Sequence, residues 1–182
     1  MKRTDVKYLI VHCAYTPPSM NIGVKEIDQW HREKGWLGCG YHVVIKRNGK
    51  VERGRPYHKQ GAHVRSINNK SVGICLIGGM TADKKGPEIN YTDAQYTALR
   101  EVLEEQQELF GDDTEVKGHT DFDSGKTCPN FDAALWFDTG ELKQTFLVET
   151  KKIWSTNCFI RTCNFLIGIM QIRKSEFIFF GV

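Results

Sequence analysis

KYLIVHC, residues 7–13, is an apolar run rich in β-branched residues, hemmed in by Asp5 and Lys7 on one side and a proline-bearing loop on the other. Its length and composition suit a buried strand. The loop AYTPPSMN (14–21) follows, and its two prolines rule out regular structure there. Val24, Ile27, Trp30 and His31 then recur at helical spacing, and Gly35 stops that helix after Lys34. YHVVIK (41–46) and Val51–Arg55 flank Arg47-Asn48-Gly49-Lys50, where Asn-Gly predicts a tight hairpin with positive φ at both central residues. SVGICLIG (71–78) reads as a central strand. Thr92 with Gln95 forms a capping box that opens a helix through Phe110. The core side of that helix runs Tyr96, Leu99, Val102, Leu103 and Gln106, and Gly111 ends it. Val116–His119 is a short strand, and a short helix, FDAALWF, is expected to start from Pro129 or Asn130. This alternation predicts an α/β fold with a mixed central β-sheet flanked by helices. No internal repeat interrupts it.

The chain has 182 residues, 40% of them apolar and 26% charged, ordinary values for a soluble globular protein. The net charge of +3 is too small to predict nucleic-acid binding. From Glu141 onward there are six Lys/Arg against three acids, so the first 140 residues are neutral and the tail carries the excess. The expected division is a domain over 1–140 and a basic, apolar extension over 141–182. CFIRTCNFLIGIMQI and FIFF in that extension are interrupted by polar residues and fall short of a spanning helix. MKRTDVKYLIVHC lacks the long apolar region of a secretory signal, so residence in a cytoplasm is expected. In a reducing compartment the six cysteines are expected as free thiols or ligands.

GHTDFDSGKTCPN (118–130) joins an imidazole, a thiol and a lysine in one polar loop. Two imidazoles and a thiolate would make a three-ligand zinc set with a fourth position open. His119 ends a strand, Cys128 lies on the following loop, and His12, at the end of the first strand, is the best third candidate. The spacing alone leaves alternatives open: a strand-end histidine is commonly a hydrogen-bonded surface residue, and a buried cysteine commonly serves packing. Tyr41 reads equally as a strand residue on the sheet, and Lys126 as a solvated loop lysine. Cys13, pointing away from His12, and Cys75 read as packing residues. His42, His31 and His58 read as structural or exposed.

Three runs carry a more specific signal: VHCAYTPPSMNIGVKEIDQWHREKGWLGCGYHVVIKRNGKVERGRP (11–56), GAHVRSINNKSVGICLIGG (61–79) and GHTDFDSGKTCPNFD (118–132). In order and spacing they resemble the zinc-dependent N-acetylmuramoyl-L-alanine amidases, above all the small phage endolysins, whose fold is shared with the peptidoglycan recognition proteins. The resemblance covers residues 7–138. It implies metal ligands at His12, His119 and Cys128, one Zn2+ per chain, catalytic roles for Tyr41 and Lys126, and a substrate contact at His63. It implies cleavage of the amide between N-acetylmuramic acid and L-alanine in peptidoglycan during host cell lysis. The enzyme would stay in the host cytoplasm until lysis and then act on the cell wall. Trp36 is a candidate to pack on sugar or peptide, or to cap its helix.

Two other classes of function stand beside this one. The resemblance also implies a regulator, since phage endolysins of this kind bind and inhibit their phage's RNA polymerase, which makes that polymerase a second candidate partner. A non-catalytic peptidoglycan binder is the third reading, but such binders often lose the metal cysteine, and this chain keeps Cys128, Tyr41 and Lys126. For the extension, contact with a membrane is one expectation, packing on the domain the other.

Overall fold

The computed structural model describes residues 5–146, and the expectations for the rest of the extension, membrane contact included, fall outside them. Five strands form one sheet: β1 (Tyr8–Cys13), β2 (Val43–Ile45), β3 (Val51–Arg53), β4 (Ser71–Leu76) and β5 (Glu115–Gly118). Their order across the sheet is β3-β2-β4-β1-β5. β1 runs parallel to both β4 and β5, β2 runs parallel to β4, and only β3 is antiparallel. The sheet is mixed, as expected.

A strand parallel to neighbours on both sides must be apolar on both faces, which explains the unbroken run in β1. Leu9, Val11 and Cys13 join Val43, Ile45, Val72, Ile74 and Leu76 on one face. Helix α2 (Asp93–Phe110) covers that face with Ala98, Leu99, Val102 and Leu103. Val44, Cys75 and Ile77 lie on the other face under Ile27 of helix α1 (Val24–Glu33). The capping box at α2 is formed: Thr92 Oγ1 accepts from Gln95 N–H at 3.2 Å, and Gln95 Oε1 accepts from Thr92 N–H at 3.2 Å. Gln95 also donates to the carbonyls of Ile77 and Ile45, tying the start of α2 to the ends of β4 and β2.

Two local expectations change. In the β2–β3 hairpin Gly49 has φ of +81°, while Asn48 is not among the residues with positive φ. Gly49 N–H donates to Lys46 O at 2.9 Å, and Lys46 N–H donates to Lys50 O at 2.9 Å. That pattern is a three-residue loop, a turn followed by one left-handed glycine, and it needs positive φ only at the glycine. Helix α3 (Ala133–Thr139) begins later than expected, with Asp132 Oδ1 accepting from Leu135 N–H at 3.0 Å. Asn130 cannot open it, because its φ is +78° and its buried side chain donates to Gly79 O and Glu88 O. Beyond Gly140 the chain turns back: Asp132 N–H donates to Lys143 O and Thr145 N–H to Asn130 O.

Leu99 is fully buried between α2 and the sheet. Leu99→Ala should lower the unfolding free energy by about 2–5 kcal/mol, and Thr92→Ala by about 1 kcal/mol. Urea titrations of both variants check the ranking, which reverses if the cap rather than the core anchors α2.

Candidate metal centre

Parallel pairing brings the first two donors together. Val11 pairs with Gly118 in the β1–β5 register, so His12 and His119 leave neighbouring strands side by side. Their ring centroids are 4.7 Å apart. A short 3₁₀ turn from His119 to Asp121 reverses the chain after β5. The following loop is pinned by backbone bonds, with Lys126 N–H donating to Asp123 O, Thr120 N–H to Cys128 O and Asn130 N–H to Thr127 O. Tyr91 adds a buried hydroxyl that donates to Pro129 O at 2.8 Å. Cys128 Sγ thereby comes 3.9 Å from His12 Nδ1 and accepts the Cys13 N–H at 2.9 Å. His12, His119 and Cys128 each offer a ligand atom, all within 4.8 Å of one another.

The electrostatics suit a metal. Burial holds His12 well below its ordinary value of 6.5, with His63 and His119 adding to the effect, and burial also lowers His119. Both imidazoles are therefore neutral near pH 7, the form that binds metals. Burial, followed by the Cys13 thiol, pushes Cys128 well above the ordinary thiol range. An ion bound there must displace that proton. Two neutral imidazoles and one ionisable thiol form a donor set of the kind catalytic zinc takes, with one position left for water or substrate.

A cavity of about 540 Å³ opens beside the donors, lined by Tyr15, Lys34, Tyr41, Pro87 and Lys126 together with His119 and Cys128. Tyr41 and Lys126, expected as catalytic residues, thus share one cavity wall with two of the donors. Tyr41 sits just before β2, its ring centroid 5.1 Å from that of His12. Gly40 gives the backbone room there, since a Cβ on it would stand 2.2 Å from Ala62 O. Burial raises the Tyr41 phenol well above 10, so it stays protonated and can donate. A second cavity, of about 310 Å³, lies against His119 and is lined by Arg65, Ser66 and Phe122.

The remaining histidines divide by their bonds. His63, expected at the substrate, has its Nδ1 3.0 Å from His12 Nε2 and lines neither cavity. His42 is fully buried, accepts Gly73 N–H at Nδ1 and donates from Nε2 to Lys59 O. His31 is buried and accepts Gly40 N–H. His58 is exposed. Trp36 is 42% exposed, with its ring against His31. Cys13 and Cys75 are buried, as expected of packing residues. Tyr15 and Lys34 were not singled out by sequence; Tyr15 has φ of +53°, which no pattern in the proline-bearing loop announces.

A mixed sheet with two imidazoles at its strand ends and a thiol on the loop that follows, opening on a cleft with a phenol and a lysine, defines a candidate metallohydrolase. Comparison with known proteins makes this specific. The N-acetylmuramoyl-L-alanine amidase family model matches residues 2–131. The chain is 45% identical to the endolysin of Enterobacteria phage K11 over 141 residues, 78% of this chain and 91% of that protein. To the endolysin of Escherichia phage T7 it is 41% identical over 142 residues, with the same shares of each chain. Among solved structures it resembles the endolysin amidase LysCS from Clostridium intestinale, with a TM-score of 0.60 and 27% identity over 69% of this chain and 75% of that one. Bumblebee PGRP-SA shares the fold, with a TM-score of 0.63 at 23% identity over 76% of this chain and 83% of that one. The chain belongs to the N-acetylmuramoyl-L-alanine amidase family.

Because Cys128 must lose a proton to serve as a thiolate, zinc affinity should rise about tenfold per pH unit above the ordinary histidine range. Chelator competition across pH measures it. A flat profile would remove Cys128 from the donor set, as would a Cys128→Ser variant that binds zinc as tightly as the parent chain.

Proposed function

We propose that this amidase cleaves the bond between N-acetylmuramic acid and L-alanine in peptidoglycan with one zinc ion held by His12, His119 and Cys128, and with Tyr41 and Lys126 acting on the reacting amide. Support comes from one observation above all: the three donor atoms lie within 4.8 Å of one another and border the cavity that Tyr41 and Lys126 line. The family and the phage endolysin relatives supply the reaction class, peptidoglycan hydrolysis by a phage lysin.

An amide is a weak electrophile with a poor leaving group, and attack on it concentrates negative charge on the former carbonyl oxygen. Zinc, when bound, supplies Lewis acidity and lowers the pKa of water toward ~7. The chain's own residues then have distinct tasks. Lys126, two residues before Cys128, brings a positive charge to the edge of the cavity where that oxygen develops. Tyr41, kept protonated by burial, offers a hydrogen bond from its place just before β2. His12 and His119 stay neutral and keep their lone pairs available. The open cavity suits a long polymer whose sugar and peptide extend away from the scissile bond on either side of His119.

Lys126→Ala should retain zinc and lose ~10²–10³-fold in kcat, measured as release of new L-alanine amino termini from purified sacculi. Tyr41→Phe should lose activity with the same zinc content. Loss of the metal in Lys126→Ala would make the lysine a structural residue and remove it from the reaction.

A further inference from the structure

His12 uses both ring nitrogens, and the bonds beyond it determine which one carries the proton. Ser71 Oγ donates its single proton to Ile67 O at 2.8 Å. With that proton engaged, the 3.4 Å contact between Ser71 Oγ and His63 Nε2 suits a proton on His63 Nε2. A neutral His63 then has its lone pair at Nδ1, and Nδ1 lies 3.0 Å from His12 Nε2. A proton on His12 Nε2 completes that bond. Nδ1 of His12 is left as a bare lone pair, and it is the nitrogen that stands 3.9 Å from Cys128 Sγ.

We propose that Ser71 and His63 are positioning residues that lock His12 in its Nε2–H tautomer, so that Nδ1 is presented to the metal before any ion arrives. The inference rests on the reading of His12 as a ligand and goes beyond it, since His63 and Ser71 are outside the donor set and line neither of the two cavities. Partners of this kind, one bond behind a ligating histidine, fix ring orientation and raise metal affinity ~10–100-fold.

The packing around His63 is independent support. The ring lies over Gly73 in β4, where an added Cβ would meet Cδ2 and Cγ at 2.7 Å and Nδ1 at 2.9 Å. Gly61 leaves the same kind of room, since its Cβ would stand 2.4 Å from His63 Cδ2. A glycine inside a strand forgoes side-chain packing and marks a close approach. Here the approach is that of an imidazole laid on the sheet beside His12, with ring centroids 5.0 Å apart at 84°. Asn68 Oδ1 accepts the backbone N–H groups of both His63 and Val64, at 2.8 and 2.9 Å, so the loop that carries the ring is held as well.

The test uses the full chain stripped of metal, with zinc alone as the probe. Two-bond nitrogen–proton NMR of the metal-free protein should show His12 protonated at Nε2. His63→Phe keeps a ring but removes the acceptor; it should scramble the His12 tautomer and weaken zinc ~10–100-fold by chelator competition. His63→Asn, whose Oδ1 can accept where Nδ1 did, should recover most of that loss, and Ser71→Ala should lose less than His63→Phe. The proposal is overturned if His12 in the parent protein is protonated at Nδ1. It is equally overturned if His63→Phe binds zinc at parental strength, or changes only KM for peptidoglycan. Should His63→Phe not fold, the tautomer of the parent protein decides alone. Failure of the underlying reading looks different: His12→Ala would then leave zinc affinity unchanged.

Discussion

Everything at this site depends on two parallel strands ending together. β1 and β5 run side by side in one direction, and the residue that follows their last pairing in each case is a histidine. Within β1, His12 could not be moved one position without turning it to the opposite face, because side chains alternate along a strand. Cys128 must then be delivered by a loop, and that loop is short, internally bonded and anchored by Tyr91 and Asn130 to the body of the domain. The open ends of parallel strands are where α/β sheets ordinarily expose a crevice, and the cavity bearing Tyr41 and Lys126 opens there.

The cost of this arrangement is a set of polar groups brought into a largely apolar interior, and the structure answers it with hydrogen bonds. His12 and His42 lie inside the protein at 1% and 0% exposure, where an unpaired imidazole would be costly. His42 takes Gly73 N–H and returns its own backbone N–H to Gly73 O, so a side chain completes the strand pairing where β2 has not yet begun. His63 does the same service for His12. Gly73 thus serves two histidines at once: its bare backbone bonds one and leaves space for the other. A central strand with a glycine in it gives up packing, and the polar layer laid over it is the compensating gain.

Much of this was legible in the sequence because it is local or periodic. The apolar run of β1, the spacing of α1 and the Thr92–Gln95 cap each depend on residues within a few positions of one another. For His12, His119 and Cys128 the spacing alone left other readings open, and the three quoted runs, through the family resemblance, are what singled them out as a candidate donor set. What escaped was settled at long range. The Asn48-Gly49 hairpin carries three loop residues rather than two because the pairing of Ile45 with Val51 fixes its span. Asn130 does not start a helix because carbonyls of Gly79 and Glu88, far away in sequence, claim its side chain. The bond from His63 to His12 spans 51 positions, and no local pattern announces it.

The proposed mechanism requires His12, His119 and Cys128 to grip one divalent ion with a position left over for substrate. X-ray absorption at the zinc edge, on protein purified without added metal, addresses that directly. The expected first shell holds two nitrogen neighbours at ~2.0–2.1 Å and one sulfur at ~2.3 Å from the protein, plus one exchangeable light atom. A shell without sulfur, or one closed by a fourth protein side chain, would contradict it.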